Sequence, residues 1–89
     1  MYTLEFDEDW RTYYKKVPPD IQKRFKKRLN KYEIFPTISF RHAKYGVEFF
    51  MDEIGQYRVC FVSNENSKIR RFYFIGKHKE YEKFIGIRK

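Results

Sequence analysis

The chain has 89 residues, with 20 Lys and Arg against 12 Asp and Glu for a formal net charge of +8. That length fits one domain over 1–89 with a small core, and the lone cysteine, Cys60, excludes an internal disulfide. No apolar run is long enough to span a bilayer and the acidic N-terminus has no export segment, so a cytoplasmic protein with a polyanionic partner, and no membrane, is expected.

The 10 Phe, 8 Tyr and one Trp suit a core this small, because each ring removes a large apolar area from water. Tyr2, Leu4 and Phe6 alternate with Thr3 and Glu5, the period of a strand with one buried face. Asp7 then offers a helix N-cap, with Glu8 and Asp9 in the first turn, where the dipole favours anions. Trp10, Tyr13, Tyr14 and Val17 fall at i, i+3, i+4 and i+7, a short amphipathic helix ended by Pro18-Pro19. Pro19 suits the first turn of a second helix running to about Tyr32, with Ile21, Phe25, Leu29 and Tyr32 as its apolar stripe.

Glu33–Gly46 reads as a connecting loop. Val47, Phe49 and Met51 alternate with Glu48, Phe50 and Asp52, a second strand. The turns Ile54-Gly55-Gln56 and Asn64–Ser67 bound a third strand, Tyr57–Val62, and lead into a fourth, Ile69–Ile75. Lys79–Phe84 is a loop or a short helix. The expected fold class is α+β, in the order β-α-α-β-β-β. Two helices pack on one face of a mostly antiparallel sheet, and the other face is at least partly open.

Sixteen of the 20 positive charges lie in two segments, Lys15–Lys31 and Lys68–Lys89. The element order, the basic second helix and the phrases Gly55-Gln56-Tyr57-Arg58-Val59 and Phe74-Ile75-Gly76-Lys77-His78-Lys79-Glu80-Tyr81 together resemble the RelE/ParE toxin superfamily across essentially the whole chain. The ending, with His78 and Tyr81, looks more like the HigB branch than RelE itself. The resemblance implies the toxin of a type II toxin–antitoxin system. Such a toxin is a ribosome-dependent mRNA endonuclease that blocks translation, and its partners are a cognate antitoxin, the ribosome and mRNA. ParE-like inhibition of DNA gyrase, or a non-catalytic RNA-binding or decayed toxin domain, is the alternative.

Metal-independent RNA cleavage needs a base for the 2′-hydroxyl and cations for the scissile phosphate. Arg58 matches the family's strand arginine. Strand alternation sets it with Cys60 and Val62, opposite Tyr57, Val59 and Phe61. It is either an ordinary surface arginine or, as the resemblance implies, a catalytic one whose planar fork grips phosphate oxygens. His78 is a candidate base or acid, the role histidine commonly fills, or else a solvated histidine between Lys77 and Lys79. Tyr81 matches the family's C-terminal aromatic and stacks on a base, shares a proton, or plugs the core. Lys77, Lys79, Arg41 and Lys44, with Lys23 and Lys27 on the second helix, are the expected phosphate contacts; His42 adds to the Arg41–Lys44 cluster. RelE-like enzymes carry lysines on the strand matching Val47–Asp52. This chain has none there, and Glu48 or Asp52 is a candidate proton acceptor instead. Two histidines and one cysteine, widely spaced, give no metal or cofactor site.

Overall fold

A computed structural model describes residues 1–42 and 49–86. Strand β1 (Thr3–Phe6) is followed by helices α1 (Trp10–Tyr14), α2 (Pro19–Lys27) and α3 (Leu29–Ile34), and then by a 3-10 turn at Thr37–Ser39. Strands β2 (Arg41–His42), β3 (Phe50–Ile54), β4 (Tyr57–Asn64) and β5 (Ile69–Lys77) lead into helix α4 (His78–Phe84). The strands form one sheet in the order β1-β5-β4-β3-β2. β1 runs parallel to β5 and the other pairs are antiparallel.

The α+β arrangement is the expected one, with local corrections. Asp7 does not cap a helix side-on. Its carboxylate accepts the Asp9 N–H at 3.2 Å and its carbonyl accepts the Trp10 N–H at 2.9 Å, so a turn precedes α1. The second helix breaks at Arg28 rather than running on to Tyr32. There the Arg28 N–H bonds to Phe25 O, three residues back, and the side chain reaches the sheet to donate to Glu53 O at 2.6 Å. The stretch expected as a loop contains β2, which pairs Arg41 with Met51 and His42 with Phe50. Val47 and Glu48 of the expected second strand lie outside the described residues. The tail is helical.

The sheet carries an apolar cluster on each face. One holds Trp10, Ile21, Phe25, Tyr32, Phe61, Phe72 and Ile75 beneath the N-terminal helices. The other holds Met51, Cys60, Phe74, Tyr81 and Ile85, and Phe84 packs against it from α4. The face expected to be open is therefore partly roofed by α4. Register explains how β5 serves both clusters. Cys60 pairs with Phe74 but Phe61 with Phe72, so Tyr73 is an extra residue, a β-bulge. The bulge puts Phe72 and Ile75 under α2 and turns Phe74 toward α4, which strict alternation would not do.

Two polar groups, Asp52 partly buried and Arg70 fully so, tie the layers together. Asp52 faces the helices, where Arg28 donates to it at 3.1 Å and Tyr32 Oη at 2.9 Å, with Lys31 at 3.4 Å. Arg70 is 0% exposed. Its guanidinium lies 3.6 Å from the Tyr2 ring centroid and donates to Tyr32 O and Ser63 Oγ. Burial lowers its pKa, yet an arginine stays charged there.

Burial also pushes the Cys60 thiol up to about 12 from an ordinary value of 9.0. The folded chain then keeps a proton that the unfolded chain releases, so this thiol's contribution to stability is complete below pH 9 and declines as the pH rises toward 12. Iodoacetamide should label Cys60 only after denaturant unfolds the chain, because only the thiolate reacts. Equal labelling rates in native buffer and in urea would contradict the buried position.

Candidate functional site

The β3–β4 hairpin and the start of α4 build one groove. Gly55 occupies the left-handed region at φ +61°, which permits the tight Gly55-Gln56 turn and sets Glu53 directly opposite Arg58. Arg58 in turn pairs with Gly76 on β5. A Cβ on Gly76 would approach Phe74 to 2.6 Å and Glu80 Oε1 to 2.8 Å, so only glycine lets α4 begin this close to the sheet. The Lys77 backbone N–H donates to Glu80 Oε1 at 3.1 Å and fixes the first turn of α4.

The groove has a volume of about 660 Å³ and is lined by Glu53, Gln56, Arg58, Lys77, His78 and Lys79, with Glu80 and Lys83 at its edge. That size is within the range of small-ligand sites. The Arg58 side chain is 24% exposed, with Nη2 3.3 Å from Glu53 Oε2. Its guanidinium lies 5.0 Å from the Tyr81 ring centroid, a cation–π contact that orients it. The His78 ring is 6.4 Å from the same Tyr81 ring, so Arg58 and His78 flank one aromatic. His78 is 56% exposed, and its Nε2 lies 2.8 Å from Glu82 Oε2, one turn along α4. Lys77, Lys79 and Lys83 have no carboxylate partner among the described residues, which leaves the groove electropositive.

The structure thus brings together Arg58, His78, Lys77 and Lys79. Tyr81 is 6% exposed and supports them from the second core cluster. Arg41 joins indirectly, bonding Glu53 Oε1 at 2.8 Å from β2, so one carboxylate spaces two arginines. Lys23 and Lys27 lie on the exposed side of α2 and do not line the groove. Lys44 lies outside the described residues, as does Glu48. Asp52 points away into the helix layer, and the carboxylate that pairs with Arg58 is that of Glu53. A two-residue turn at Gly55-Gln56 carries that signal, because it forces Glu53 opposite Arg58. Among the described residues no group of three His, Cys, Asp or Glu is placed to hold a metal ion. No helix among them is long and apolar enough to cross a membrane.

The backbone superposes on solved toxin structures. The isolated Escherichia coli RelE toxin matches with a TM-score of 0.73 at 18% identity, over 99% of this chain and 100% of that one. The chain has the RelE toxin fold. A RelBE toxin–antitoxin complex from Mycobacterium tuberculosis gives a TM-score of 0.76 at 16% identity, over 86% of this chain and 91% of that one. A RelB–RelE complex from Methanococcus jannaschii gives 0.68 at 18% identity, over 90% and 96%. No protein-family model and no curated protein matches the sequence. In this RelE fold the strand arginine of the Gly55-Gln56-Tyr57-Arg58 phrase and the His78 tail meet at a single groove.

Proposed function

We propose that this protein is the toxin of a type II toxin–antitoxin pair and cleaves mRNA on the ribosome without a metal ion. The observation that carries the reading is the groove itself. Arg58, restrained by Glu53 and Tyr81, faces it beside His78 and three lysines that lack carboxylate partners among the described residues. With Nε2–H of His78 donating to Glu82, Nδ1 keeps its lone pair and takes the proton of a ribose 2′-hydroxyl. The freed 2′-oxygen attacks the adjacent phosphorus, the P–O5′ bond breaks to leave a 2′,3′-cyclic phosphate, and the departing 5′-oxygen takes a proton from water. Arg58 stabilises the charge that builds on the phosphate oxygens, in a fork geometry that lysine lacks. Lys77 and Lys79 hold the flanking phosphates, and the basic side of α2 around Lys23 and Lys27 meets ribosomal RNA. The antitoxin partner is supported by the solved RelE structures that hold RelB.

A gyrase-directed toxin is the second reading. It is favoured by β3, which brings Met51 and Glu53 rather than a lysine to the groove side of the sheet. Expression in a bacterial host, followed by mapping of mRNA 5′ ends and by a supercoiling assay with purified gyrase, separates the two. Translation arrest with cuts inside codons is expected and supercoiling should be unaffected. Gyrase inhibition with intact mRNA would transfer the toxin to the gyrase class. RNA affinity with neither effect would leave a non-catalytic RNA-binding domain.

A further inference from the structure

A second groove lies on the other side of the first turn of α4, with a volume of about 560 Å³. Its walls are Tyr13 from α1, Tyr57 from β4 and Phe84 from α4, and its rim carries Lys16, Lys77 and Lys83. Lys77, Glu80 and Lys83 line both grooves, so the two are continuous around α4. Tyr13 meets Phe74 edge-on, with centroids 4.9 Å apart at 69°, and Phe84 at 6.3 Å and 81°. Phe84 stacks on Phe74 at 4.8 Å. Tyr13, Phe74 and Phe84 thus brace one another along one side of the groove. The acidic residue on the rim is already engaged, since Glu80 accepts the Lys77 backbone N–H. None of the three rim lysines has an ion pair among the described residues.

Braced aromatic walls under an unneutralised cationic rim are the chemistry of single-stranded nucleic acid, with bases against rings and the backbone along lysines. An acidic peptide would use the lysines but leave three rings idle. We infer that this groove holds the nucleotide adjoining the phosphodiester bound at Arg58, its base against Tyr13, Tyr57 and Phe84 and its phosphate between Lys16 and Lys83. The inference rests on the RNA reading of the first groove and extends it by one subsite, which makes the protein a reader of at least two successive nucleotides.

The test compares uncleavable 2′-O-methyl oligouridylates of two and five residues on the purified protein. Lys16 is exposed, so Lys16→Ala leaves the fold intact. It should weaken the five-residue ligand by roughly three- to tenfold, lower its salt slope by about one, and leave the two-residue ligand unchanged. A 5-bromouridine version of the longer ligand should cross-link to Tyr13, Tyr57 or Phe84. Unchanged affinity in Lys16→Ala without a cross-link to any of those rings overturns the second subsite, as does displacement by oligoglutamate as effective as by unlabelled RNA. Arg58→Ala distinguishes the two readings. Loss of two-residue binding supports the first groove, whereas cross-linking at the rings with two-residue binding unaffected by Arg58→Ala keeps the second subsite and removes the first.

Discussion

Arg58→Ala should lower mRNA cleavage by about 100-fold or more and relieve growth arrest on induction, while the protein stays folded. Removing one preorganised donor aimed at developing transition-state charge typically costs that much, roughly 3 kcal/mol. Here the donor is fixed from two sides. Glu53 holds Nη2 at 3.3 Å and the Tyr81 ring lies 5.0 Å from the guanidinium, so the fork is preorganised before a phosphate arrives. Stability should change by only about 1 kcal/mol, because the pair is partly solvated and Glu53 keeps Arg41 as a partner. Arg58→Lys should recover only part of the rate, since a single ammonium keeps the charge but loses the two-pronged grip. Cleavage is followed by primer extension on mRNA bound to purified ribosomes. Wild-type rates in Arg58→Ala would remove the arginine from the chemistry and, with it, the nuclease reading.

Phe72→Ala should be the most destabilising single truncation, lowering stability by about 3–5 kcal/mol in urea denaturation. Phe72 is fully buried at the meeting point of the N-terminal helices and the sheet. Its ring is 4.9 Å from Tyr32, 5.1 Å from Phe61 and 5.4 Å from Phe6, and Trp10 and Phe25 are both at 6.0 Å. Aromatics from β1, α1, α2, α3 and β4 all face the cavity that the truncation would leave, and they brace one another too well to collapse into it. A domain this small holds only about 5–10 kcal/mol in total, so the variant should be partly unfolded at 37 °C. Phe72→Leu, which fills most of the space, should cost under about half as much. A Phe72→Ala midpoint within error of wild type would mean that the two layers do not meet through this ring.

Much of the groove was legible in one dimension. The Gly55-Gln56-Tyr57-Arg58 phrase specifies a hairpin turn and the start of a strand, so Arg58 had to fall opposite Val59 and Phe61 in facing. The Lys77-His78-Lys79 run had to fall at the end of the last strand. Glu53 was readable by the same hairpin pairing, yet Asp52 drew attention because strand alternation alone cannot say which face meets the helices. The answer came from Arg28 and Tyr32, residues 24 and 20 positions away from Asp52, whose hydrogen bonds turn that carboxylate inward. The helix break at Arg28 has the same origin. Nothing in Phe25–Tyr32 interrupts the helical period, and the break shows only once Arg28 reaches Glu53 O on the sheet.

By itself the sequence determined the α+β class, the first strand, the two N-terminal helical stretches and the three-strand meander, the aromatic core and the excess of positive charge, because each follows from local periodicity, turn chemistry or composition. Only the tertiary structure decided which surface would be the site. The bulge at Tyr73 assigns Phe74 to one face and Phe72 with Ile75 to the other. That in turn seats α4 on the sheet, so that Tyr81 lies beneath Arg58 and beside His78. Pairings between residues far apart in the chain depend on register and packing, which no local pattern encodes.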